Sequence, residues 1–400
     1  MRGSRQRIVH GMLVAAAVCA AGATAGQQQD SAGPAFKVVG KWGGVGTTPG
    51  KFGGASLGLA VDKAGTVYVA DSNANRFQSF SSKGAFRKVY AVPTDGTTPD
   101  VAVDADGNVW GTTQVNAQVL RYPKTGGAPE AFATPKTADG IAVDADGNVY
   151  VSTSGDAIHE VVRFDKTPTG WEPAKTWARG LQAPGDIEVS ADGSVYVADT
   201  RGSPPTVKRY DTSGKLLKVI RTLLPATAGA GAQYGIGVDP DCNLWMTDPG
   251  QRRVEKFSPS GKLLGTATSG DMLATDIAIG PSGDLYVFDV YGPSSVVRFA
   301  LDSSKPATAP VPAKIVVSKG KATVKYAATG IACPAEIDAT ASLTGKGISG
   351  KAAVKVSAGK TTAIVIPMAK AASGPATFKI VLKTNGRPTT ESRAVTVSAK

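Results

Sequence analysis

Four hundred residues exceed what one hydrophobic core usually serves, and 48 glycines with 25 prolines describe a chain full of turns, so two domains of all-β build are expected. Three cysteines exclude a disulfide framework and a cysteine-based zinc site. The formal charge of +12 is uneven: residues 1–25 contribute +3, residues 26–310 contribute −2 and residues 311–400 contribute +11.

The chain opens with Arg2, Arg5 and Arg7, an apolar stretch from Ile8 to Ala21, and Ala23-Thr24-Ala25 before Gly26. A basic start, an apolar middle and a small-residue site are the parts of a bacterial export signal, so residues 1–25 are read as a signal peptide. The remainder is expected to be secreted or held at the cell surface or wall. No later stretch approaches the roughly 20 apolar residues of a membrane span, so no transmembrane segment is expected after cleavage. Loss of Cys19 with the signal leaves Cys242 and Cys333, either as two separate thiols or as an interdomain disulfide.

From residue 57 one phrase recurs six times: LGLAVDKAGTVYVAD, PDVAVDADGNVWGTT, DGIAVDADGNVYVST, GDIEVSADGSVYVAD, YGIGVDPDCNLWMTD and TDIAIGPSGDLYVFD. Aligned on Val61, Val103, Val143, Val189, Val238 and Ile279, the copies are 42, 40, 46, 49 and 41 residues apart. This is the period of a four-stranded propeller blade. Apolar residues alternate with period two on both sides of a D/P-x-x-G-x turn, which gives a tight hairpin. Third strands follow in NRFQSF, QVLRYP, EVVRFD, TVKRYD, RVEKFS and SVVRFA. After the sixth of these the chain enters LDSSKPATAPVPA, which offers no fourth strand, whereas AFKVVGKWG at residues 35–43 precedes the first copy unpaired. The expectation is a six-bladed β-propeller over residues 35–302, closed by its N-terminal strand so that no sheet edge is left open.

The opening copy, WGGVGTTPGKFGGASLGLAVDKAGTVYVADSNANRFQSFSSKGAF, resembles the NHL repeat family, and the likeness extends over about 270 residues. The later copies depart from it, losing the Asn-Arg pair and much of the Gly-rich lead-in. Members of that family serve as binding platforms, while similar rings include metal-dependent lactonases and amidating lyases. The resemblance therefore implies a fold and leaves the activity open.

Residues 303–312 form a linker. Beyond it the composition shifts to Lys, Thr, Val and Ala, and seven alternating segments (AKIVVS, KATVKYAA, EIDATASL, KAAVKVS, TTAIVIPM, ATFKIVLK, RAVTVSA) read as a small immunoglobulin-like β-sandwich over residues 313–400. Its +11 implies either attraction to an anionic cell-envelope polymer or outward lysines that keep edges apart. Nucleic acid is excluded as a partner by export and by the lack of aromatic residues among the basic ones.

Residues shared by every repeat hold the repeat together; those that break the pattern are candidates for function. Asp100, Asp139, Asp186 and Asp276 are read at the entrance of the innermost strands, facing a channel, where four carboxylates would need protonation or a bound Ca²⁺ or Mg²⁺. His159, the one histidine left after the signal, stands beside Glu160 on the same face, an arrangement open to a streptogramin-lyase-like general base. Tyr234, Trp110, Trp245, Tyr291, Arg252 and Arg253 are the blade-specific aromatic and basic residues expected on a recognition face. The preferred expectation is an extracellular binding or scaffold protein for a protein or glycan ligand. The alternative is a metal-dependent hydrolase or lyase, lactonase-like or streptogramin-lyase-like.

Overall fold

A computed structural model describes residues 36–399 apart from 55–57, 94–95, 156–158, 200–204, 222–234, 240–241, 302–313, 319–320, 328–335, 346–347, 358–360, 368–373 and 385–386. The proposed signal peptide, Cys19, Cys333 and Tyr234 thus lie outside the described residues. What is described is all-β, with Ser72–Ala74 as one short helical turn.

Residues 36–301 build six four-stranded antiparallel sheets. Each copy of the repeat supplies the two inner strands of one sheet, for example Gly58–Val61 against Val67–Asp71, and the following segments supply the outer two. In the last sheet the outermost strand is Phe36–Gly43. It runs antiparallel to Ser295–Leu301 from Phe36 opposite Leu301 to Gly43 opposite Ser295, with a bulge between Val38 and Gly40.

The hairpins form for the reason their sequence suggests. Asp104 Oδ1 accepts the backbone N–H of Asp106 and Asn108, and Asp144 Oδ1 does the same for Asp146 and Asn148. The residue between them turns left-handed, as in Gly107 and Gly147. In the fifth copy Cys242 takes that place at φ 57°, fully buried and disulfide-bonded to a residue outside those described.

The apolar residues alternate out of each sheet into the space before the next. One cluster joins the first and second sheets through Ala70, Phe77, Val101 and Leu120. Another joins the last to the first through Phe288, Val296, Phe52 and Leu59. The innermost strands Gly58–Val61, Val101–Val103, Thr137–Val143, Pro184–Val189, Ile236–Val238 and Ala274–Ile279 neighbour one another in that order, and the last also lies beside the first. This is a β-propeller arrangement.

The second strands end in Asp71, Asp199, Asp248 and Asp289, which accept N–H groups from nearby loops: Gly53, Gln182 with Ala183, Gln251, and Leu273 with Tyr291. A base faces each of them: Arg76, Lys208, Arg253 and, from the N-terminal strand, Lys41.

The basic tail has strands at all seven predicted segments, but they are longer than the short strands expected, with Gly374–Thr384 and Arg387–Ala399 spanning 11 and 13 residues. They hydrogen-bond into one seven-stranded sheet, because Arg387–Ala399 pairs with Gly374–Thr384 on one side and, in parallel, with Lys314–Ser318 on the other.

Candidate functional site

Three residues before each aligned Val or Ile the repeat carries Gly58, Asp100, Gly140, Asp186, Gly235 and Asp276, an alternation of glycine and aspartate around the inner strands. Asp100 accepts the N–H of Val101, and Asp186 that of Ile187. The other oxygen of each acid reaches into the next sheet: Asp100 to Ile141 N at 2.8 Å and Asp186 to Ile236 N at 2.6 Å. Asp276 does the same to Leu59 N at 2.5 Å. The glycines fill the alternate seams by close approach. A Cβ on Gly235 would stand 2.3 Å from Asp276 Cα, and one on Gly58 would stand 2.6 Å from Asp100 Cα.

This corrects the ring of four acids. Asp139 precedes Gly140 and belongs one position earlier, so the strand's alternation turns its carboxylate elsewhere. Gln114 Nε2 and Ser154 Oγ donate to it at 2.7 and 2.6 Å.

The fourth channel acid is Glu188. It lines a cavity of about 130 Å³ together with Asp100 and Asp186, and no lysine, arginine or histidine lines that cavity. Glu188 was legible in the sequence, since the other copies have Ala60, Ala102, Ala142, Gly237 and Ala278 at that position.

Burial without a compensating cation disfavours charge. It raises Asp100, Asp276 and Glu188 well above the usual carboxylate range, and the Asp186 charge adds to each. Burial brings Asp186 up to about 6, and backbone N–H groups and a hydrogen bond from Asp276 hold it back. Among the described residues no three His, Cys, Asp or Glu side chains gather closely enough to hold a metal ion. Backbone N–H groups take oxygens of Asp100, Asp186 and Asp276, and the Gln114 and Ser154 side chains take those of Asp139.

A consequence for stability follows. The folded carboxyls keep protons that the unfolded chain has released, so their favourable contribution is complete below about pH 4 and is lost as pH rises through about 6 and beyond. Thermal unfolding of the full chain should show a melting temperature several degrees lower at pH 8 than at pH 5, corresponding to about 2 kcal/mol. Asp186→Asn should flatten the profile over that interval; an unchanged profile would contradict the assignment.

A second polar cluster lies where the second and third sheets meet at the loops entering the first strands. Thr97 Oγ1 donates to Gln114 Oε1, Gln114 to Asp139, and Ser154 to the other Asp139 oxygen. The register of the third sheet, Thr153 opposite Glu160, puts Ser154 and His159 at one level just beyond. His159 is half-buried, and its Nδ1 is buried with no hydrogen-bond partner among the described residues. Glu160 does not join it. Glu160 is buried and accepts from Thr176 Oγ1 at 2.9 Å with Arg179 Nε at 3.5 Å, because strand alternation turns it away from its neighbour. Gln114 and Ser154 carry no signal in the repeat, and only the meeting of the two sheets marks them out.

The expected recognition residues separate. Trp110 and Trp245 are core residues, 1% and 2% exposed, whose indole N–H groups donate to the turn residues Asp104 and Asp239. Period-two alternation points them between sheets, so neither is on a ligand face. Arg253 is engaged by Glu255 and Asp248. Tyr291 is exposed, with the Arg252 guanidinium 5.1 Å from its ring centre and paired with Asp271.

Residues 143–291, under half of the chain, match the family described as "SMP-30/Gluconolactonase/LRE-like region". The NHL likeness is one of repeat pattern. No curated protein matches the sequence. Among solved structures, regucalcin from Agrobacterium tumefaciens, described as a calcium-binding protein, is similar at 15% identity and a TM-score of 0.50, over 66% of this chain and 94% of that one. Virginiamycin B lyase from Staphylococcus aureus is similar at 18% identity and a TM-score of 0.48, over 68% and 90%. A gluconolactonase from Xanthomonas campestris is similar at 20% identity and 0.49, over 62% and 86%. At these identities the likeness is one of fold.

Proposed function

We propose that the chain is an exported enzyme that opens cyclic esters by hydrolysis or elimination, on a ring of six blades sealed by its N-terminal strand and followed by a separate basic β-domain. The observation that carries this reading is His159: the single histidine among the described residues, level with Ser154, with a buried ring nitrogen that nothing in the described protein occupies. The family match over residues 143–291 contains His159 and supports the same class of chemistry. The binding reading loses Trp110 and Trp245, which are buried, and Arg253, which is held by acids. The stacked and exposed Tyr291 and Arg252 favour protein or glycan recognition as a second reading.

In hydrolysis His159 takes a proton from water, the hydroxide adds to the acyl carbon, and the ring oxygen leaves with that proton as an alcohol. In elimination His159 takes a proton from the carbon next to the one bearing the ester oxygen. The carbon–oxygen bond breaks as a double bond forms, and the carboxylate departs. The network around Asp139, with Gln114 and Ser154, orients the substrate carbonyl or its leaving group by hydrogen bonds.

The test is turnover of a panel of lactones and cyclic depsipeptides by the full chain, read by mass spectrometry. A product that gains the mass of one water reports hydrolysis; an opened product of unchanged mass reports elimination. His159→Asn should lower kcat/KM at least about a hundredfold while leaving the melting temperature unchanged. Absence of turnover across the panel, or a fully active His159→Asn, would sink the enzyme reading.

A further inference from the structure

The charge of the tail becomes specific once the strands are in register. In the adjoining strands Ile348–Ser357, Glu336–Gly345, Gly374–Thr384 and Arg387–Ala399, the buried residues Ala341, Leu343, Ala376, Phe378 and Ile380 fix one face as inward. The intervening positions therefore share the outward face. Across it, Lys351 stands opposite Ser342, Ser342 opposite Lys379, and Lys379 opposite Ser392. Lys351 and Lys379 are exposed. Four residues away along the strands, Asp338 stands opposite Lys355 on one side and Lys383 on the other. The first row has no acid: between its two positive charges, about 10 Å apart across two strand spacings, stands Ser342.

We propose that this outward face binds an extended phosphate-bearing polymer, with the Lys351 and Lys379 row as its centre. Phe378 is the only aromatic residue in the four strands, and it is buried, so the face has no platform on which a sugar ring or a base could stack. It also lacks the exposed aromatic anchors with which a protein settles into a lipid interface. What remains is charge set on a surface of Ser and Thr hydroxyls, which recognises phosphates by ion pairing and hydrogen bonding. This inference does not rest on the enzyme reading.

The test is titration of labelled long-chain inorganic polyphosphate with the full chain at several salt concentrations. The logarithm of the affinity should fall linearly with the logarithm of salt concentration. Lys351→Ser with Lys379→Ser should reduce the slope by about 1.4, at roughly 0.7 for each phosphate no longer neutralised. The arginine pair at the same positions should keep the slope, which separates loss of charge from loss of fold, and Lys63→Ser with Lys262→Ser in the propeller should leave it unchanged. No binding at low salt, an unchanged slope in the serine pair, equal affinity for polyglutamate, or capture by phosphatidylglycerol vesicles but not by polyphosphate would each overturn the proposal.

Discussion

Arg253→Ala is expected to destabilise the protein by about 3 kcal/mol or more, measured as the shift in urea unfolding of the full chain. Arg253 Nη2 lies 2.6 Å from Glu255 Oε1 and its Nε 3.6 Å from Asp248 Oδ2, while both acid side chains are essentially inaccessible. Burial raises the Glu255 carboxyl, the Asp248 charge raises it further, and the Arg253 cation holds it down. Removal of the guanidinium leaves two carboxyls buried side by side without a counter-charge, and that cost exceeds whatever the intact pair contributes. Lysine should recover only part of the loss, because a single ammonium cannot serve Glu255 through two N–H groups and stay near Asp248. Arg253→Ala combined with Glu255→Gln should be less destabilised than Arg253→Ala alone. A single variant within about 0.5 kcal/mol of the parent would show that the acids do not need this cation.

Gly235→Ala is expected to cost about 3 kcal/mol, the upper end for an overpacked site. The added methyl would meet Asp276 Oδ1 at 2.1 Å and Asp276 Cα at 2.3 Å. The neighbour in the way is backbone, so no side-chain rotation relieves the clash. Relief would require parting the fifth and sixth sheets where Gly235 N–H donates to Thr275 O at 3.0 Å. Gly250→Ala is the matched control, since its Cβ would meet only Asp248 Oδ1 at 3.5 Å, and it should change stability by less than about 0.5 kcal/mol. Equal melting temperatures for the two variants would contradict the close approach of the inner strands.

Much of the architecture is readable in the sequence because its causes are local. In the first three copies the hairpin turn depends on an Asp bonding N–H groups two and four residues on, and the inward face depends on alternation, so the repeat and the spare strand at Phe36 are visible without coordinates. The same alternation places Trp110 and Trp245 inside, against the expectation of a recognition face. At Asp139 the expected alignment is one residue out. Pairing of strands shows that a single-residue slip moves a side chain to the other face, here from the channel to the Gln114 and Ser154 cluster.

The sequence by itself determined the repeat, the hairpins, the seven strands of the tail and the division of charge along the chain, because each depends on neighbours within a few residues or on composition. The tertiary structure decided which acids share the channel, that Glu160 turns away from His159, and that Lys351 and Lys379 fall in one row. Those relations join residues 28 to 217 positions apart or depend on register, and only the packing of one sheet against the next brings them together.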